Sequence, residues 1–274
     1  MTDKSGVQRI AAVFERARTE NRSALMPYLT LGYPTPETSL TLVEATVASG
    51  ADLLELGVPF SDPLADGPTI QQAAHVALQQ GMTVVRCLEM AQELRQCGLA
   101  APFIFMSYYN PILSYGDTAL CRRCRDVGVD GLIVPDLPPE EGETLEKACR
   151  QHGLTLIYLL APTSPPERIR LVTERSRGFV YLVSVTGITG ARDALPPDLA
   201  AFVERVRAVT DKPLAVGFGI GRPEQAAQVA RLADGVIVGS ALVRLAGEPR
   251  GREKVGAFVA RLRRAVATRY HREP

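Results

Sequence analysis

Short apolar runs alternate with helical segments along the whole chain, and this alternation repeats eight times. Most of the apolar runs are continuous, which is typical of parallel strands that are buried on both faces. The predicted strands are Leu25–Thr30, Asp52–Leu56, Phe103–Ser107, Gly131–Val134, Leu156–Leu160, Phe179–Val183, Leu214–Val216 and Val236–Val238. The chain is therefore predicted to be an α/β protein with a parallel sheet.

The helical segments begin with prolines and acidic residues, which suit the first turn of a helix. We predict helix starts at Thr35, Thr83, Pro138, Ser164, Pro197 and Arg222, and an amphipathic helix, Val7–Arg18, before the first strand. Eight βα units in about 250 residues predict a closed TIM (β/α)8 barrel in a single domain, residues 1–274, with an extra N-terminal helix. An open doubly wound sheet is the alternative, but no Gly-x-Gly-x-x-Gly turn follows the first strand.

Composition excludes several classes of protein. The chain carries 31 basic and 30 acidic side chains, so no overall field selects nucleic acid or an anionic membrane. No apolar run approaches the roughly 20 residues of a membrane helix, and the N-terminus lacks signal-peptide features, so we expect a cytoplasmic protein. Five scattered cysteines do not indicate a disulfide framework. The Cys121-x-x-Cys124 pair lacks further ligands, so no metal site is expected.

Three carboxylates cluster where the second predicted strand ends. Glu55 closes the strand, and a loop rich in proline and glycine carries Asp62 and Asp66 before Thr69 is expected to cap the next helix. One interpretation is an ordinary turn, in which the strand-end Glu55 bonds to backbone amides and the two aspartates make turn contacts. The other is a catalytic pair, because carboxyl groups in different surroundings supply an acid and a base at neutral pH.

Glycine-rich loops follow the last three predicted strands. They contain Gly187 and Gly190, then Gly217 to Gly219, then Gly239 and Ser240, which open a short predicted helix, Ala241–Leu245. Glycine lets backbone amides approach an anion closely, and a helix N-terminus adds unpaired donors. Each glycine alone would only permit a tight turn, but together the loops predict a phosphate site at one end of the barrel.

Several segments of the chain resemble the family of tryptophan synthase α subunits. The matching segments fall in the family's order and span most of the chain. They are PYLTLGYP from Pro27, LELGVPFSDPLADGPTIQ from Leu54, YYN from Tyr108, GITG from Gly187, GFGI from Gly217 and GSALV from Gly239. The resemblance agrees with the barrel and the phosphate site, and the second of these segments is highly specific.

The resemblance implies cleavage of indole-3-glycerol phosphate to indole and glyceraldehyde 3-phosphate, a retro-aldol reaction without a metal or organic cofactor in this chain. Glu55 matches the catalytic glutamate, which moves protons between the substrate hydroxyl and indole C3. Asp66 matches the catalytic aspartate, which accepts a hydrogen bond from the indole nitrogen. Asp62 matches a residue at the partner interface and is assigned no chemical step.

The resemblance also implies the remaining site residues and the partner. Tyr28, Met106, Tyr108 and Tyr181 are expected to line the indole pocket, Thr189 to order against Asp66, and the amides of Gly190, Gly219, Gly239 and Ser240 to hold phosphate. The expected partner is a tryptophan synthase β subunit in an α2β2 heterotetramer. Pyridoxal phosphate is expected only in that β subunit, which receives the indole.

Other functions stay open on the sequence alone. Phosphate-binding barrels also host isomerases and aldolases, although a Schiff-base aldolase needs a buried strand lysine that this chain lacks. A stand-alone indole-releasing lyase would carry the same catalytic residues, and a non-catalytic activating subunit is a further alternative. The loop after the sixth strand reads SVTGITG, where relatives often have arginine or leucine and GVTG, so loop closure could be tuned differently.

Overall fold

One parallel sheet and a layer of helices make up the computed structural model, which describes residues 5–183, 195–217 and 219–267. Its strands are β1 Ala24–Thr30, β2 Leu54–Gly57, β3 Phe103–Met106, β4 Gly131–Ile133, β5 Thr155–Ile157, β6 Leu159–Leu160, β7 Val180–Val183, β8 Leu214–Gly217 and β9 Gly235–Val238. Its helices are α1 Gly6–Thr19, α2 Pro36–Ala48, α3 Pro68–Gln79, α4 Val84–Gln96, α5 Tyr109–Tyr115, α6 Asp117–Val127, α7 Glu143–Gln151, α8 Pro166–Arg175, α9 Leu199–Arg207, α10 Pro223–Ala230, α11 Ser240–Ala246 and α12 Gly251–Ala265. None of these helices is both long and apolar enough to cross a membrane.

The sheet closes into a barrel through a break in its fifth strand. The strand order is β5-β4-β3-β2-β1-β9-β8-β7-β6, and only Tyr158 separates the two outermost members. β5 pairs with β4 while β6 pairs with β7, so one stretch of chain joins both edges. The ladder is interrupted because the Tyr158 N–H donates to Ser176 Oγ at 3.0 Å. The predicted TIM barrel is confirmed, with the predicted strand Leu156–Leu160 divided in two.

Several predicted boundaries move, each for a local reason. The second strand begins at Leu54 rather than Asp52, whose carboxylate instead accepts the backbone N–H of Leu25 at 2.9 Å. The predicted helix start at Pro138 is a 3-10 turn, Pro139–Glu141, that precedes α7. Thr69 does not cap α3, because Gly67 occupies that position and the helix begins at Pro68. The short helix α5 was not predicted.

Two apolar layers hold the barrel together. The larger layer lies between the strands and the outer helices, and the smaller one fills the inside of the barrel. The predicted N-terminal helix is α1, which closes one end of this interior with Ile10, Val13 and Phe14. The Phe14 and Phe179 ring centroids lie 5.5 Å apart, so α1 packs directly on the core. The opposite end, where the strands finish, is left for a site.

Three aspartates link neighbouring strands at the closed end of the barrel, and we call these links the aspartate staples. Each precedes a strand and accepts a backbone N–H from the first or second residue of the neighbouring strand, and each is paired with an arginine. The triads are Asp52 with Leu25 and Arg22, Asp130 with Phe103 and Arg95, and Asp234 with Leu214 and Arg207. These contacts hold three pairs of neighbouring barrel strands in register: β1 with β2, β3 with β4, and β8 with β9.

Removing the carboxylate of Asp52 should destabilise the barrel strongly. Asp52 and Arg22 are both buried and bond through two contacts of 2.7 and 2.9 Å. Asp52→Ala leaves a buried guanidinium and a strand N–H without this acceptor, so we expect a loss of about 3 to 5 kcal/mol in the free energy of unfolding. Urea denaturation measures it. The control is Asp126→Ala, which breaks a solvent-exposed pair with Arg125 and should change stability by less than about 0.5 kcal/mol. Similar losses in both variants would contradict the staple.

Candidate active site

A pocket opens where the carboxyl ends of the barrel strands meet, as in other barrels of this kind. It is lined by residues from both halves of the sheet. The lining residues are Tyr28, Glu55, Asp66, Ile70, Met106, Tyr181, Gly219, Ile220, Gly221, Ile237, Gly239, Ser240 and Ala241. Most of the predicted site residues are therefore brought together at one place.

Glu55 reaches the pocket because side chains alternate along β2. Leu54 and Leu56 belong to the layer under the helices, so the residue between them points into the barrel. Its side chain is 1% exposed, and Oε2 has no hydrogen-bond partner among the described residues. Burial, and secondarily the charge of Asp66, raise the pKa of Glu55 to about 8. Glu55 therefore carries a proton at neutral pH.

Asp66 comes from the loop after β2 and is held there by several contacts. Its N–H donates to the Pro63 carbonyl at 3.0 Å, which is the turn contact that the sequence also allowed. The Tyr108 hydroxyl accepts the Ala65 N–H at 2.9 Å and donates to Asp66 Oδ2 at 3.1 Å. This hydroxyl ties the loop after β2 to the segment after β3 and aims the carboxylate at the pocket.

The two carboxyl groups differ in protonation. Burial raises the pKa of Asp66 to about 6, while the Tyr108 hydrogen bond opposes this rise. The pKa of Glu55 lies higher, so between these values one group is an anion and the other an acid. A single pocket thus offers a proton donor and a negative charge at neutral pH, which is the pattern of acid–base sites. Asp66 therefore makes a turn contact and also lines the pocket.

The residues predicted to line the indole pocket fall into two groups. Tyr28, Met106 and Tyr181 line the pocket and supply apolar area. Tyr181 needs the glycine beside it, since a Cβ on Gly217 would lie 2.3 Å from the Tyr181 hydroxyl. Tyr108 instead contributes its hydroxyl to Asp66. Its role is therefore to orient a carboxylate, which the sequence pattern did not indicate.

The far end of the pocket is built from backbone. Gly219 has φ of +78°, a conformation that favours glycine, and lines the pocket after β8. Gly239 precedes α11, whose first residues, Ser240 and Ala241, also line the pocket. The first N–H groups of a helix have no intrahelical acceptor, so this end suits an oxyanion. The predicted residues Thr189 and Gly190 lie outside the described residues.

Several lining residues were not predicted. Ile237 lies on β9, where it pairs with Met26, and Ile70 lies in the first turn of α3. Ile220, Gly221 and Ala241 lie within two positions of the predicted Gly219 or Gly239. Strands buried on both faces lack the polar alternation that would show which residues point inward. The only available signal was proximity along the chain to Gly219 and Ser240.

Tyr108→Phe should raise the pKa of Asp66. The substitution removes a hydroxyl that stabilises the ionised carboxylate, so we expect a rise of roughly one pKa unit, equivalent to about 1.4 kcal/mol. NMR titration of ¹³C-labelled aspartate carboxyl groups measures the value. Tyr109→Phe is the matched control, because that hydroxyl donates to Asp117 at 3.2 Å and should leave Asp66 unchanged. An unchanged or lowered Asp66 pKa in Tyr108→Phe would contradict the assignment.

The chain is similar in sequence to known proteins along most of its length. The family model described as "Tryptophan synthase alpha chain" matches residues 14–268. The tryptophan synthase alpha chain of Dehalococcoides mccartyi is 49% identical over 260 residues, covering 95% of this chain and all of that protein. The Chloroflexus aurantiacus alpha chain is also 49% identical, covering 95% of this chain and 99% of its own length.

Solved structures agree with the sequence comparisons. A structure of Mycobacterium tuberculosis tryptophan synthase has a TM-score of 0.88 at 42% identity and covers 97% of this chain and 99% of its own. The tryptophan synthase subunit alpha of Legionella pneumophila has a TM-score of 0.86 at 38% identity, covering 94% and 98%. The chain belongs to the tryptophan synthase alpha chain family.

Proposed function

We propose that Glu55 and Asp66 catalyse the retro-aldol cleavage of indole-3-glycerol phosphate to indole and glyceraldehyde 3-phosphate, as a carbon–carbon lyase of tryptophan biosynthesis. The observation that carries this proposal is the pair of buried carboxyl groups with separated pKa values, in a pocket whose other end is lined with backbone amides. An acid, an anion and a phosphate cradle are the three things that this cleavage requires.

Glu55 acts first as an acid and then as a base. Its protonated carboxyl group gives a proton to indole C3. The bond between C3 and the hydroxyl-bearing carbon then breaks, and its electron pair returns to the indole ring. The hydroxyl proton passes to the Glu55 carboxylate as that carbon becomes the aldehyde of glyceraldehyde 3-phosphate. One proton is given and one is recovered, so Glu55 is ready for the next turnover.

Asp66 stabilises the charge that exists only during the reaction. Protonation of C3 makes the indole nitrogen electron-poor, and an ionised Asp66 that accepts its N–H favours this state. The Asp66 side chain is 6% exposed, so little water screens the interaction. Tyr108 keeps the carboxylate aimed while one oxygen, Oδ1, has no partner among the described residues. That oxygen is free for the indole nitrogen.

The rest of the pocket binds the two ends of the substrate. Tyr28, Met106 and Tyr181 pack on the indole ring, and the amides of Gly219, Gly239 and Ser240 hold phosphate. Gly190 adds a further amide and Thr189 orders against Asp66 as part of the same proposal. No lysine lies among the residues that line the described pocket, which disfavours a Schiff-base aldolase.

The partner is a tryptophan synthase β subunit, and we propose an α2β2 heterotetramer in the cytoplasm. Pyridoxal phosphate belongs to that β subunit, and this chain uses no cofactor of its own. The relatives named above are alpha chains, which favours this function over a stand-alone lyase or a non-catalytic activating subunit. Indole release by the purified chain, with and without a β subunit, tests the partnership. Full activity alone would exclude an obligate partner.

Substituting either carboxyl group should remove activity without unfolding the chain. Glu55→Gln deletes the proton donor and Asp66→Asn deletes the charge, so each should lower the rate of indole release from indole-3-glycerol phosphate at least about 100-fold. Circular dichroism checks that both variants fold. When the rate is measured on the chain alone, Asp62→Asn is the control, because Asp62 lies in the same loop and accepts a hydrogen bond from Ser61 rather than lining the pocket. A rate near that of the wild type in either variant would reject that residue's role.

The pH dependence of kcat/KM should be bell-shaped. Below about pH 6 Asp66 takes up a proton and loses its charge, and above about pH 8 Glu55 loses the proton that it must donate. The two apparent pKa values belong to the interacting pair. Initial rates of indole release from pH 4.5 to 9.5 give the profile. A rate that keeps rising above pH 9 would contradict the assignment of Glu55 as the acid.

A further inference from the structure

The hydroxyl of Tyr28 is a buried polar group that the mechanism above leaves without a task. Tyr28 on β1 stands beside Glu55 on β2, because the two residues are partners in the strand register. The next pair on the same face is Thr30 and Gly57. These four residues form one patch of the barrel wall that includes the proton donor Glu55, and Tyr28 and Thr30 carry its hydroxyl groups.

Gly57 creates the space that the Tyr28 hydroxyl occupies. A Cβ built on Gly57 would lie 2.0 Å from that oxygen and 2.5 Å from the ring carbon that bears it. At the other edge of the ring, Cβ, Cγ and Cδ1 of Tyr28 lie 3.5 to 3.7 Å from a Cβ built on Gly239. The ring therefore extends from Gly239, at the end of the pocket proposed to bind phosphate, to the patch that contains Glu55. A substrate chain that joins phosphate to the reacting carbon must run along it.

The hydrogen bonds of this patch are incomplete. The Tyr28 hydroxyl and Thr30 Oγ1 are 3.3 Å apart, and either can be the donor. One contact between two hydroxyl groups uses one hydrogen and leaves the other available. Close by, Glu55 Oε2 is buried without a described partner. Burial and the nearby carboxylates raise the pKa of Tyr28 well above its ordinary value, so the phenol stays protonated as a donor.

We infer that the Tyr28 hydroxyl, seated over Gly57 and paired with Thr30, is a specificity residue that recognises a hydroxyl group on the substrate chain. A chain hydroxyl beside Glu55 accepts the free hydrogen of the Tyr28 and Thr30 pair and donates to Glu55 Oε2. This completes both sets of hydrogen bonds at once, and a site with buried polar groups rejects a ligand that leaves them unpaired. The inference rests on the proposed function, because it takes a phosphate-bearing polyol as the substrate.

Two non-cleavable probes separate hydroxyl recognition from packing. We choose 3-naphthylpropyl phosphate and its 3-hydroxy derivative, which differ by one hydroxyl group and cannot undergo the cleavage. Calorimetry on the full chain gives the ratio of their dissociation constants. We expect the wild type to prefer the hydroxylated probe, and Tyr28→Phe to reduce this preference about fivefold while leaving the affinity for the other probe nearly unchanged.

Tyr33→Phe is the matched control. The Tyr33 hydroxyl also lies over a glycine, 2.1 Å from a Cβ built on Gly247, but Tyr33 does not line the described pocket. This control should keep the wild-type ratio. An unchanged ratio in Tyr28→Phe, or an equal loss for both probes, would overturn the inference and leave the proposed function standing. If neither probe binds the wild type, both the inference about Tyr28 and the proposed function are overturned.

Discussion

Desolvation of two carboxyl groups inside a closed barrel is the constraint on which the site depends. A parallel barrel turns alternate side chains of each strand into a dry interior, and Glu55 is one of them. The protein keeps it neutral by burial and keeps Asp66 charged with one hydroxyl bond from Tyr108. The same low dielectric that raises the pKa of the acid strengthens the field of the anion. Acid and anion are thus set by environment rather than by residue type.

Rigidity on the opposite face makes this arrangement possible. The aspartate staples hold the strands at the closed end, and α1 seals the core beneath them. The open end is then free to use loops, glycines and a short helix for binding without weakening the barrel. Gly57 and Gly217 belong to the rigid strands and also shape the binding pocket. Each lacks a side chain, so that a tyrosine from the neighbouring strand can reach the pocket.

The sequence predicted features set by neighbouring residues better than features set by contacts between distant parts of the chain. The strands, most helix starts and the grouping of Glu55 with Asp66 followed from apolar runs, prolines and the order of the chain. The break at Tyr158 did not, because it depends on the Ser176 side chain, eighteen positions away. The role of Tyr108 did not either, since its partners Ala65 and Asp66 are more than forty positions away along the chain. Such contacts leave no periodic trace in the sequence.

The sequence by itself determined the alternation of buried strands and helices, and with it a barrel whose glycine loops and carboxylates gather at one end. It also carried the motifs that place the chain in its family. Only the tertiary structure decided which carboxyl group is protonated, which aromatic residue orients Asp66 and which hydroxyl group lies beside Glu55. These properties depend on burial and on distances between strands, and neither quantity exists until the barrel has closed.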